Sequence, residues 1–234
     1  MTSAPRLGIL GGTFDPIHVG HVQTALAARR ALGLDRVIIV PSGVPPHRQH
    51  QPCASAYHRF AMTAIAVNGL DGLEASDTEV QAPGPSYTAA TLDRLHAIGL
   101  AESQIFFITG ADAFAEIATW HRYPAVLDQS HFIVLSRPGY PATSMPACLP
   151  DLAGRMTSPT ADPHGGKETA IYLVDAPTPD VSSTEVRRRL RANESIAGLV
   201  PEGVEQHIVQ HRLYAGDAVA AAALRAADHL HGQD

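Results

Sequence analysis

Cysteine is scarce: the 234-residue chain holds two, Cys53 and Cys148, far apart and outside any CxxC spacing. Neither a disulfide framework nor a zinc ribbon is encoded, and a reducing, cytoplasmic setting is expected. Lysine is scarcer. Lys167 stands alone among the 17 Lys and Arg residues, and Gly165-Gly166-Lys167-Glu168 fails the Walker A test, which needs Gly where Ala161 stands and Ser or Thr where Glu168 stands. That excludes a P-loop ATPase. No GxGxxG fingerprint is present, which argues against a hydride-transferring dinucleotide enzyme. No GxSxG elbow supports hydrolase chemistry. No apolar run approaches the ~18–20 residues of a membrane span, and Met1 to Leu10 lacks the shape of a signal peptide. With a net charge of -6, a broad nucleic-acid-coating surface is not expected, although a local basic pocket is allowed.

What is present is an ordinary globular composition, 45% hydrophobic, with 13 His that invite a metal hypothesis. His207 and His211 have the i, i+4 spacing of some metal sites, but no HExxH pattern and no third ligand can be named. No metal-ligating residue is therefore assigned. Short apolar runs at Leu7–Leu10, Val37–Val40, Ile105–Ile108, His131–Leu135 and Ile171–Val174 read as buried strands, with Leu73–Ser76 and Glu79-Val80 as weaker candidates. Helical patterns lie between them at Val19–Leu32, Ala56–Val67 and Thr88–Ile98, and after them at Ser183–Arg191 and Pro201–His211. Pro41 to Ser55 reads as a surface loop and Ala142 to Gly166 as a long connection. This alternation predicts an α/β fold: a doubly wound, Rossmann-like parallel sheet with helices on both faces. Ligands then bind at the carboxyl ends of the strands, near a topological switch point. Residues 1–214 are expected to form one domain, followed by an Ala-rich C-terminal tail, 215–234, that reads as a short helix.

The strongest motif is Gly11-Gly12-Thr13-Phe14-Asp15-Pro16-Ile17-His18-Val19-Gly20-His21. A strand ends, two glycines permit a close turn, and a helix begins near Gly20. Free N–H groups at a helix start attract phosphate. His18 and His21, three apart, can donate to the same anion and, when protonated, add charge to it. Gly20 leaves the helix backbone open to a ligand. A second candidate is Val181-Ser182-Ser183-Thr184-Glu185-Val186-Arg187, where Ser182 or Ser183 suits an N-cap and the hydroxyls and Arg187 can converge on another anion.

The first motif resembles the HxGH signature of the nucleotidyltransferase superfamily, and the longer GGTFDPxHxGH form resembles nicotinate-nucleotide adenylyltransferases. The second resembles the superfamily's (I/V)SSTxxR signature. Pro45-Pro46-His47-Arg48, Gly84-Pro85-Ser86-Tyr87-Thr88, Gly110-Ala111-Asp112-Ala113 and Thr119-Trp120 resemble further elements of the same branch. The likeness runs from about Leu7 to about Tyr214. It departs at His121, where the family often has Tyr or Lys, and at Gln81-Ala82-Pro83, which lacks a customary Arg.

The resemblance implies adenylyl transfer from ATP to nicotinate mononucleotide, giving deamido-NAD and pyrophosphate, with Mg2+ bound mainly through phosphates. It implies ATP contacts from Gly11, Gly12, Thr13, Phe14, His18, Gly20, His21, Gly110, Asp112, Ser183, Thr184 and Arg187, with His18, His21 and Arg187 catalytic. Asp15, His47, Thr88 and Trp120 are implied at the mononucleotide, Trp120 by stacking on its pyridine ring. The expected partners are these small molecules, and self-association stays open. A sister enzyme using nicotinamide mononucleotide and a non-catalytic nucleotide sensor are the alternatives.

Overall fold

A computed structural model describes residues 4–46, 52–160 and 169–215. Strand β1 (Leu7–Gly12) leads into helix α1 (Val19–Leu32), which Gly33 ends in the left-handed conformation, φ 58°, its N–H donating to the Arg29 carbonyl. Strand β2 (Arg36–Pro41), helix α2 (Ala56–Val67) and strand β3 (Leu73–Ala75) follow. Next come α3 (Thr78–Gln81), α4 (Thr88–Ala97), β4 (Ile105–Gly110), α5 (Ala111–Ala115) and β5 (His131–Leu135). The chain then forms α6 (Met145–Cys148), β6 (Met156–Thr157), β7 (Ile171–Val174), α7 (Ser183–Arg191) and α8 (Glu202–Gln210). No helix among the described residues is long and apolar enough to cross a membrane.

All seven strands are parallel, in the order β3-β2-β1-β4-β5-β7-β6. The doubly wound expectation holds, with two differences. Glu79-Val80, expected as strand, lies in α3: β3 stops at Ala75, and the Gln81 amide closes a helical turn on the Asp77 carbonyl at 2.9 Å. The connection from Ala142 hides β6, whose two residues pair with Ile171 and Tyr172. A strand that short carries no readable period.

Side chains alternate between two cores. Ile9, Ile105, Phe107, Phe132 and Val134 face α4 and α5. Leu10, Phe106, Ile108, Ile133 and Leu135 face α1, α2, α7 and α8. Burial on both faces explains why these strands are continuous apolar runs. From β1 the chain winds outward to β2 and β3, then returns to β4 on β1's other flank. The switch point therefore lies between the carboxyl ends of β1 and β4, where Gly12 and Gly110 stand.

Candidate active site

At the end of β1 the chain turns through Thr13 to Pro16 and starts α1 with His18 as N-cap, in extended conformation, φ -140°. The His18 amide donates to Nδ1 of His21 at 3.2 Å, and the two rings stack with centroids 3.6 Å apart. Phe14 presses edge-on against the other side of His21, at 4.9 Å. His18 is buried. Burial and the nearby Arg137 charge lower its pKa to about 3, and burial, His18 and Arg137 lower that of His21 well below the usual value. Both imidazoles are thus neutral in the ligand-free protein near pH 7, so hydrogen bonding is what they offer there. Neutrality has a geometric consequence. His21 accepts at Nδ1, so its proton sits on Nε2, turned away from the cap as a donor.

Gly20 is there for space. A side chain on it would press on the His18 ring, 3.0 Å from Nδ1, and on the Pro179 carbonyl at 3.3 Å. His18 Nδ1 itself is buried with no hydrogen-bond partner.

The second motif reaches the first. Ser182 is the N-cap of α7, its Oγ accepting from the Glu185 amide at 3.1 Å. Ser183 lies one residue inside the helix and donates to the Pro16 carbonyl at 2.9 Å. Arg187 donates to the Asp15 carbonyl at 2.5 Å and, through Nη2, to Thr184 Oγ1 at 3.3 Å. Its Nε is buried and unpartnered. Across 167 residues, the start of α7 is thus bound to the loop that starts α1.

Asp15 is no surface ligand. It is fully buried, and its carboxylate accepts from the Cys53 amide (2.8 Å), the Ala54 amide (3.1 Å) and the Tyr214 hydroxyl (2.8 Å). Its side-chain acceptors are thus used inside the protein, where the resemblance implies a mononucleotide contact. Burial, with the Asp15 charge second, holds the Tyr214 phenol above its usual range, so that proton stays on Tyr214. Phe14 is likewise a core residue, so any contact it makes with a nucleotide falls to its backbone. His47 lies outside the described residues.

Two arginines escaped sequence reasoning. Arg137, after β5, has a buried, unpartnered Nε, and it lies where a side chain on Gly110 would meet it, 2.9 Å from that nitrogen. Asp112, exposed, stands at the same glycine. Arg59, on α2, is among the largest fully buried side chains. It donates to the carbonyls of Thr13 (2.8 Å), Gly43 (3.1 Å) and Ala54 (3.3 Å), tying the loops after β1 and β2 together. Its sequence signal was its place on the buried stripe of α2, with Met62, Thr63 and Ala66 at helical spacing.

A cavity of about 510 Å³ opens beside β1 and β4, lined in part by Gly11, Gly12, Thr13, Thr88, Trp120 and His121. Trp120 stands edge-on to Phe107, centroids 5.9 Å apart. At the rim, His121 stacks on Tyr87 at 4.4 Å. Glu79 also lines the cavity. Thr91 donates to its carboxyl at 2.5 Å, and burial raises its pKa. His18, His21 and Arg187 do not line this cavity. The site therefore has two parts: an aromatic-walled chamber and an adjoining patch of buried, unpartnered nitrogens from His18, Arg137 and Arg187.

Residues 9–189 match the sequence family described as Cytidylyltransferase-like. A Desulfatibacillum aliphaticivorans protein named "Probable nicotinate-nucleotide adenylyltransferase" is 40% identical over 89% of this chain and 99% of its own. One of the same name from Moorella thermoacetica is 40% identical over 92% and 94% of the two chains. Among solved structures, Plasmodium falciparum nicotinic acid mononucleotide adenylyltransferase complexed with NaAD superposes with a TM-score of 0.69. It covers 90% of this chain and 98% of its own at 17% identity, which establishes the likeness of fold.

Proposed function

Because the chain belongs to the cytidylyltransferase-like family, and within it to the nicotinate-nucleotide adenylyltransferases, we propose that it joins ATP and nicotinate mononucleotide. The products are deamido-NAD and pyrophosphate. The observation that carries this reading is the junction of the two motifs at the switch point, where Ser183 and Arg187 of α7 bond the loop that opens α1.

In the reaction, an oxygen of the mononucleotide 5′-phosphate attacks the α-phosphorus of ATP in line. The new P–O bond forms as the bond to the β-phosphate breaks, and pyrophosphate leaves with that electron pair. An ionised phosphate needs no general base. The protein's task is to hold two anions together and answer the charge that develops. Positioning supplies about 7–11 kcal/mol in favourable cases, and preorganised donors add to it.

The neutral His21 offers its Nε2 proton to the α-phosphate without itself needing to titrate. Arg137 Nε, and His18 Nδ1 in the tautomer that carries the ring proton there, are buried without partners, so their desolvation is already met in the fold. A phosphate completes them. Arg187 and Thr184 hold the β- and γ-phosphates, while the β1 turn at Gly11–Thr13 admits the nucleotide backbone closely. Asp112 and Gly110 lie on the adenosine side. Magnesium arrives on ATP and belongs to the substrate. Trp120 provides a face for the pyridine ring and Thr88, at the start of α4, meets its carboxylate. Two exposed free cysteines, Cys53 and Cys148, suit a reducing cytoplasm.

The test is pyrophosphate release from ATP with nicotinate mononucleotide, nicotinamide mononucleotide or no acceptor. Release that requires the acid mononucleotide is expected. Preference for the amide points to the sister enzyme, and no release with any acceptor points to a nucleotide sensor.

A further inference from the structure

Beyond α8 the chain folds back, the Leu213 amide bonding the Ile208 carbonyl at 3.0 Å. This carries Tyr214 into the core shared with Val204 and Ile208. A tyrosine at such a place would ordinarily be filler, yet its hydroxyl ends on Asp15, 199 residues away. Asp15 carries both neighbours that matter to Arg187: its carbonyl accepts the Arg187 Nη1 proton, and its carboxylate Oδ2 stands 3.9 Å from the same nitrogen. At that separation the two form a long ion pair without a direct hydrogen bond, and the guanidinium is held by the backbone carbonyl.

We infer that Tyr214 is a positioning residue for ATP, keeping the Asp15 carboxylate turned to its own hydroxyl and to the Cys53 and Ala54 amides so that Arg187 remains available to phosphate. The argument is one of competition. A buried carboxylate seeks every donor within reach, and the nearest charged one is Arg187. Three protein donors occupy it. Removing the hydroxyl opens an acceptor position on Oδ1. The carboxylate then turns toward the guanidinium, and the long ion pair closes to a hydrogen-bonded one that draws Arg187 off its present line by about 1 Å, a displacement that can cost up to ~100-fold in rate.

This rests on the reading of Arg187 as an ATP-phosphate ligand, so the experiment separates the two. Full-length Tyr214→Phe and Arg187→Gln are compared with the parent in steady-state kinetics, varying each substrate in turn. Inorganic tripolyphosphate serves as an inhibitor competitive with ATP. For Tyr214→Phe the expected result is a kcat/KM for ATP about tenfold lower and a weakened tripolyphosphate Ki, with the KM for nicotinate mononucleotide moving less than twofold. A purely structural role for the phenol lowers thermal stability and moves both substrates alike, or neither. Either pattern, alongside a clear ATP defect in Arg187→Gln, overturns the inference and leaves the reading of Arg187 intact. Unchanged ATP and tripolyphosphate constants in Arg187→Gln overturn that reading, and the inference with it.

Discussion

Replacing His21 by alanine tests the transition-state role at its sharpest point. The structure separates what is lost. The ring's Nδ1 accepts the His18 amide, so alanine leaves a helix-start donor unmet, at about 1 kcal/mol of stability. The ring also fills the slot between Phe14 and His18, and its removal loosens both. Neither loss need alter the rate of a protein that remains folded. The Nε2 donor is different: in the proposed role it is aimed at charge that grows on the α-phosphate, and its removal then costs about 2.7–4 kcal/mol of barrier, or ~100–1,000-fold in kcat. Asparagine separates the two functions further, because its Oδ1 can take the cap while its amide N–H stands in for part of the lost donor. Turnover should therefore rank parent, His21→Asn, His21→Ala, with stability nearly restored in the asparagine variant. The assay is pyrophosphate release at saturating ATP and mononucleotide, with urea midpoints measured in parallel. A His21→Ala protein with near-normal kcat and only a raised KM would refute the assignment, since it would show uniform binding and no selective stabilisation.

Three further outcomes follow from the same geometry. The pKa of His18 is about 3 and that of His21 is also depressed, so in the ligand-free protein neither ring should take up a proton as the pH falls from 8 to 6. Histidine ring shifts followed by NMR across that range read this directly, and a midpoint near the ordinary 6.5 for either ring would contradict it. Arg59→Met leaves the Thr13, Gly43 and Ala54 carbonyls without their guanidinium donor. A loss of about 3–4.5 kcal/mol is expected at ~1–1.5 kcal/mol per bond, and an unchanged urea midpoint would refute the clamp. Trp120→Ala removes the stacking face, worth ~1–3 kcal/mol, and should raise the mononucleotide KM about tenfold while leaving that of ATP nearly untouched.

The sheet was legible because its strands are buried on both faces, and five uninterrupted apolar runs announce that directly. What the sequence could not show were features whose cause is long-range. Met156 and Thr157 form a strand only because β7 offers them an edge. Glu79 and Val80 alternate like a strand but have no partner at the end of β3, and helix is what remains to them.

The same division runs through the site. The helix starts that carry His18, His21, Ser183 and Arg187 could be read because they are local events, encoded within a few positions. Asp15 stood in the middle of that local motif and was read by association as a ligand. Its burial, and the Cys53 and Ala54 amides that claim it, come from a loop nearly 40 residues later. Arg137 gave the opposite error. One arginine after a strand carries no pattern, and only the sheet order, which sets β5 beside β4, brings it to Gly110 and into the field of both histidines. The anion site is therefore not a property of either motif. Two local helix starts bring His18, His21 and Arg187 together, and the fold adds Arg137. A chain with both motifs intact but with Arg137 neutralised, or with Arg187 captured by Asp15, would match the family in sequence and bind ATP poorly.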